Sequence, residues 1–157
     1  MSGRLLFAYG SNMAEEEMSA FAPGARFVGV ARLDGFALAF RRRSLRWGGG
    51  AADILAAPGS EVWGVLYELS NSDIEALDAK EGAGLAYRRR EVTVEHRGSA
   101  VAAFAYEVID KEPAEVPPAQ EYAELLRRSA RDRGLPAAYA ARFGDLGGHI
   151  HPNASNP

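Results

Sequence analysis

Cysteine is absent from the 157 residues, which removes disulfides, thiolate nucleophiles, Cys-based zinc sites and iron–sulfur clusters together. Histidine is scarce. His149 and His151 are spaced like a metal pair on a strand, but no further clustered ligand accompanies them, so no metal site is expected. Long apolar runs are missing too. Leu5 to Ala8 is too short for a secretory core or a membrane span, and a cytoplasmic protein without membrane contact is expected. An excess of positive charge is also lacking. The net charge is -3, so there is no global basic field to attract nucleic acid.

Two familiar catalytic patterns are missing as well. Gly48-Gly49-Gly50 lacks the Lys-Ser/Thr of a phosphate-cradling loop and reads as a flexible turn. Ser11 has neither a nucleophile-elbow motif nor a well-placed His–acid pair.

What is present suits one compact domain over residues 1–157. Hydrophobic residues make up 47% and charged residues 25%, a globular balance. A chain of this length buries roughly two-thirds of its unfolded surface. Residues 4–9 read as a buried strand that stops at Gly10-Ser11-Asn12, a turn and helix-cap sequence. Glu15, Glu16 and Glu17 follow where acids suit the positive end of a helix. Strand-like segments recur near 26–33, 36–42, 51–56, 61–69, 90–96 and 100–109, divided by Asp34-Gly35, the glycine triplet, Pro58-Gly59 and Arg97-Gly98. In 90–96, Val92 and Val94 alternate with polar neighbours, as one buried face requires. These short strands suggest a small closed or nearly closed barrel, with a sandwich as the alternative. The triplets Arg41-Arg42-Arg43 and Arg88-Arg89-Arg90 flank strands and read as solvated strand edges; attraction of anionic substrates is the alternative.

Ser72-Asp73-Ile74-Glu75 has the form of a capping box opening a short helix that ends near Lys80. A second helix is expected from Pro118 to Arg133, stopped by Gly134, and a third from Pro136 through Phe143. The chain from about 146 onward reads as a mobile polar tail.

Two segments could carry chemistry. At Phe7-Ala8-Tyr9-Gly10-Ser11-Asn12 a strand enters a helix through glycine, which leaves backbone N–H donors open to a carboxylate or an oxyanion. At Leu77-Asp78-Ala79-Lys80-Glu81-Gly82 the carboxyl of Glu81 sits just past the negative end of a helix. That placement disfavours the charged form, a tuning suited to a general acid/base.

Taken in order, these pieces resemble the γ-glutamylcyclotransferase family within the AIG2-like group. The likeness rests on residues 7–12, then Val30-Ala31-Arg32-Leu33-Asp34-Gly35-Phe36, Trp47 to Leu69, Leu77 to Tyr87, Pro117 to Tyr122, and Gly134-Leu135-Pro136. The asparagine after Gly10-Ser11 favours this branch over the glutathione-specific ChaC branch. Between Glu81 and Tyr87 the chain is one residue shorter than in the vertebrate pattern, which puts the acceptor side of the pocket in doubt.

The resemblance implies an α+β fold, a small mixed β-barrel of about six to seven strands with flanking helices. It implies Glu81 as acid/base and a substrate loop of Leu6, Phe7, Ala8, Tyr9, Gly10 and Ser11. Tyr106 and Tyr122 would line the pocket with their hydroxyls, with Tyr87 nearby. The implied reaction closes a γ-glutamyl group into 5-oxoproline and releases an amino acid or amine. The implied partner is a small γ-glutamyl substrate, with no cofactor; a homodimer follows from the resemblance alone. A cyclotransferase specialised for γ-glutamyl amines or an acylated metabolite, and a non-catalytic binding module, are the alternatives.

Overall fold

The structure is a computed structural model and describes residues 3–149, with side chains described through Gly144. Five strands form a closed barrel, flanked by four α-helices and one 3-10 turn: β1 (Arg4–Ala8), the 3-10 turn (Ser11–Met13), α1 (Glu15–Phe21), β2 (Arg26–Ser44), β3 (Gly49–Leu69), α2 (Asn71–Glu81), β4 (Tyr87–His96), β5 (Ser99–Val108), α3 (Gln120–Arg133) and α4 (Ala137–His149). The order around the barrel is β1-β3-β2-β4-β5, and β1 closes it by pairing in parallel with β5 at Leu6 and Phe104.

The class is α+β, as the sequence implies, but five strands stand among the described residues where six to seven are expected. Two turn signals do not end a strand. Near Gly35 (φ +84) and Gly59 (φ +89) the β2–β3 register passes from Asp34–Glu61 to Phe36–Ala56. One residue of β2 is thus matched against four of β3. The irregularity bends the hairpin without interrupting it, so four short segments become two strands of 19 and 21 residues.

The core follows from which faces are covered. Leu6, Phe7 and Ala8 are all buried. A consecutive buried run, rather than an alternation, means that β1 is covered on both faces. In β4 the expected alternation holds, with Val92 and Val94 buried and Glu91 and Thr93 exposed. Leu66, Phe104 and Leu126 are completely enclosed, and each such side chain contributes about 1.5–3 kcal/mol over its exposed state.

The helices depart from expectation at their ends. The capping box of α2 uses Ser70, not Ser72: Asp73 N–H donates to Ser70 Oγ while Ser70 N–H donates to Asp73 Oδ2. The helix ends one residue later than expected, at Glu81, with Gly82 in the left-handed conformation (φ 64). Gly134 (φ 92) stops α3 as expected. Helix α4 continues to His149, six residues past Phe143, so the expected tail is helical over 146–149. The rest of that tail, with His151, lies outside the described residues.

The arginine triplets are solvated as expected, with Arg43, Arg88 and Arg89 exposed, and several of these side chains are engaged in ion pairs. Arg41 pairs with Glu115 at 2.9 Å, Arg89 approaches Asp78 at 3.6 Å, and Arg88 and Arg90 both reach the buried carboxylate of Glu107.

Candidate active site

Strand direction gathers the site at one end of the barrel. Because β1 and β5 are parallel, their C-terminal ends lie side by side, which brings Tyr9 near Tyr106. Strand β4 runs against β5, with Tyr87 opposite Val108, so its beginning lies at the same end. Helix α2 delivers Glu81 from its last turn, and the first turn of α3 delivers Tyr122.

A small cavity results, lined by every candidate of the sequence reading: Leu6, Phe7, Ala8, Tyr9, Gly10, Ser11, Glu81, Tyr87, Tyr106 and Tyr122. Asn12 and Ala52 complete the lining. The sequence reading takes Asn12 as part of a turn and as a mark of the family branch, not as a lining residue; its place directly after Gly10-Ser11 was the available signal. Ala52 acts through its backbone, which no side-chain pattern reveals. About 50 Å³ is open to the centre of a water molecule, room for a few waters at roughly 10–15 Å³ each. A small polar group fits such a space.

Hydrogen bonding divides the lining into committed and free groups. Tyr9 OH donates to the carbonyl of Tyr106, and Tyr106 OH donates to Asp78 Oδ1 at 2.7 Å. Those two hydroxyl protons serve the scaffold, so Tyr106 lines the cavity without a free proton to offer. Tyr122 OH accepts from Ala52 N–H at 3.0 Å, which leaves its own proton available. Among the described residues Tyr87 OH has no hydrogen-bond partner, and the backbone N–H groups of Gly10 and Ser11 donate to none. Met13 N–H donates to the Gly10 carbonyl at 3.0 Å, which fixes this loop in its turn.

The acceptor is Glu81. Its side chain is 14% exposed, and Oε2 accepts from Asn12 Nδ2 at 3.1 Å. No described residue donates to Oε1. The cavity therefore presents several unused donors against one unused carboxylate oxygen. Gly10 belongs here by close approach: a Cβ at this position would lie 3.2 Å from Ala52 Cβ and 3.5 Å from Tyr122 OH.

All four tyrosines are held as neutral phenols. Burial is the first cause in each case, with a smaller push from Asp53 on Tyr9, from Tyr122 on Tyr87, and from the hydrogen bond to Asp78 on Tyr106. Below about pH 10 folded and unfolded states both keep these protons. Above it the unfolded chain releases them and the folded one does not, so stability falls as pH rises. Tyrosinate absorbance should stay low past pH 10 and then appear together with loss of the folded circular dichroism signal. Full tyrosinate absorbance below pH 11 in folded protein would contradict the burial.

Replacing Tyr122 by Phe strands the Ala52 N–H inside the protein, a loss of about 1–3 kcal/mol. Thermal unfolding should register it, and KM should rise if the hydroxyl proton faces the ligand. An unchanged KM would place that proton outside the ligand's reach.

Comparison with known proteins points in one direction. The family described as γ-glutamyl cyclotransferase, AIG2-like, matches residues 6–124. A γ-glutamylcyclotransferase of Bos taurus is 36% identical over 149 residues, covering 90% of this chain and 78% of the relative. One of Mus musculus is 38% identical over 146 residues, covering 88% and 76%. A solved structure of a γ-glutamyl cyclotransferase superposes with a TM-score of 0.85 at 34% identity, covering 90% of this chain and 86% of that one.

Proposed function

The chain belongs to the γ-glutamyl cyclotransferase, AIG2-like family, and from that premise we propose that it is a γ-glutamylcyclotransferase with Glu81 as its acid/base. The observation that carries the assignment is the match of polarity. A γ-glutamyl group offers two acceptors, its α-carboxylate and its γ-carbonyl, and one amine that must lose a proton. The cavity offers unused donors at Gly10, Ser11, Tyr87 and Tyr122, and one unused acceptor at Glu81 Oε1.

In this reading the α-amine nitrogen attacks the γ-carbonyl carbon of the same group. Glu81 takes the proton that the amine releases and delivers it to the amide nitrogen as that C–N bond breaks. The products are 5-oxoproline and a free amino acid or amine, and no water is consumed. The substrate supplies its own nucleophile, so the chemistry runs without a cysteine or a serine triad. The protein's task is to hold the chain bent with nitrogen and carbon about 3 Å apart. The N–H groups of Gly10 and Ser11 hold the α-carboxylate or the developing oxyanion.

The single domain, a cytoplasmic setting and a homodimer belong to the same proposal, the last on family resemblance. Among the described residues no helix is long and apolar enough to cross a membrane.

The reaction class is tested with γ-glutamyl-alanine in water enriched in oxygen-18. Cyclisation gives unlabelled 5-oxoproline. Hydrolysis would instead give glutamate carrying the heavy oxygen, and that outcome would replace this reading.

A further inference from the structure

Lys80 does not line the cavity, but its ammonium lies against two residues that do, Asn12 and its sequence neighbour Glu81. Adjacent residues of a helix diverge by about 100°, so Lys80 and Glu81 leave α2 in different directions. They meet again through a third residue. Lys80 Nζ donates to Asn12 Oδ1, and Asn12 Nδ2 donates to Glu81 Oε2 at 3.1 Å. The lysine side chain is 9% exposed, with its ammonium 3.6 Å from Glu17 Oε1, 3.8 Å from Glu81 Oε2, and over the Phe21 ring at 4.9 Å. Glu17 is held from its other side by Arg46 at 2.7 Å.

A carboxamide has two ends of nearly equal size and opposite polarity. Turned one way, Asn12 offers an N–H to Glu81; turned the other, it sets an oxygen lone pair against a carboxylate. An ammonium only donates, so Lys80 accepts nothing but the oxygen end beside it. That choice leaves Nδ2 facing Glu81, ties down Oε2, and leaves Oε1 for the substrate. We propose that Lys80 is a positioning residue for the reaction, fixing the Asn12 carboxamide and through it the Glu81 carboxylate. The proposal rests on the reading of Glu81 as acid/base.

The surroundings agree with a group kept in place for a purpose. Burial pushes the pKa of Lys80 down, and the facing carboxylates of Glu81 and Glu17 oppose that push. A buried ammonium of this kind is costly unless paired, and a surface lysine on α2 would have served the helix equally well. Lys80 acts on Glu81, through Asn12 and by its own approach to Oε2 at 3.8 Å, and not on the substrate, so its effect must appear in the chemical step rather than in binding.

The test is a double-mutant cycle on 5-oxoproline release. Lys80→Met should lower kcat by about 10- to 100-fold, the scale of a misplaced catalytic group, with KM changed by less than about twofold. Asn12→Ala should do the same. The double variant should lose far less than the product of the two single losses, because both residues act on the same carboxylate oxygen. Asn12→Asp keeps an acceptor for Lys80 and sets a carboxylate oxygen against Glu81 Oε2 where a donor stood, so it should lose kcat; it carries the test if Lys80→Met fails to fold. Full kcat in folded Lys80→Met or in Asn12→Asp, or losses that multiply in the double variant, would overturn the proposal. Wild-type protein and Glu81→Gln are assayed alongside. An inactive wild type would remove the premise and the proposal together; an active wild type with an unaffected Lys80→Met would remove Lys80 alone.

Discussion

Glu81→Gln should retain its fold and its substrate and lose about 10²–10⁴-fold in kcat, the range for removal of a positioned acid/base. The substitution is nearly isosteric. Its carbonyl oxygen can still accept from Asn12 Nδ2, which holds Glu81 Oε2 at 3.1 Å, so the last turn of α2 and the Gly10–Asn12 loop should keep their places. What is lost is the ability to take a proton from the α-amine and return it to the leaving nitrogen. The expected signature is therefore a collapse of kcat with a KM close to that of the wild type. Ligand-induced thermal stabilisation should survive in the variant, because the donors of Gly10, Ser11, Tyr87 and Tyr122 are untouched. Near-normal turnover would remove Glu81 from its role. A lost melting transition would show that the carboxylate serves the fold instead.

Gly50→Ala should lower the melting temperature by about 2–12 °C and reduce kcat/KM with it. A Cβ at Gly50 would lie 1.9 Å from the Val116 carbonyl oxygen and 3.1 Å from Phe40 Cβ. Here the segment before α3 is laid along the β2–β3 hairpin. Val116 N–H donates to the Phe40 carbonyl at 2.8 Å, and Gly50 N–H donates to the Pro117 carbonyl at 3.0 Å. A methyl group cannot share that space with a backbone oxygen, so the two segments must part. Such overpacking costs about 1–3 kcal/mol, and each kcal/mol moves the midpoint of a domain this size by about 2–4 °C. The effect reaches the cavity by a short route. Ala52, two residues along β3, donates to Tyr122 OH at 3.0 Å, and Tyr122 stands in the first turn of the helix that the segment introduces. A shift there should misplace the phenol and slow the reaction about tenfold. An unchanged melting temperature would mean that the hairpin and the segment are not packed as described.

Gly50 also shows where the sequence speaks ambiguously. Gly48-Gly49-Gly50 reads as a flexible turn, yet only Gly48 (φ +75) uses glycine's freedom to turn. Gly49 and Gly50 are there because backbone from residues 116–119 passes where a Cβ would be. A local pattern cannot register a neighbour more than sixty residues away. Asp34-Gly35 and Pro58-Gly59 mislead for the same reason. Each is a good turn signal on its own, but across a shared ladder they become one bulge, and strand number falls accordingly. Signals decided within one element fared better. The alternation of Val92 and Val94, the stop at Gly134 and the acidic start of α1 all stand where the sequence placed them.

The lining of the site was legible through the family resemblance, carried over by the order of a few segments along the chain. Its hydrogen bonding was not. Nothing in the sequence says that Tyr106 spends its proton on Asp78 while Tyr87 keeps its own. Nor does it say that Lys80, beside Glu81 in the chain, reaches it through Asn12. Those relations depend on which ends of β1, β4 and β5 meet, and parallel closure of the barrel decides that.

The central claim is tested most directly by mass spectrometry of the products from γ-glutamyl-alanine, γ-glutamyl-ε-lysine and glutathione, each incubated with wild-type protein and with Glu81→Gln. The account predicts 5-oxoproline in equal amount to the released amine or amino acid from at least one substrate, and its loss in the variant. Folded protein that yields no 5-oxoproline from any of the three, or a Glu81→Gln variant that yields as much as the wild type, would contradict it.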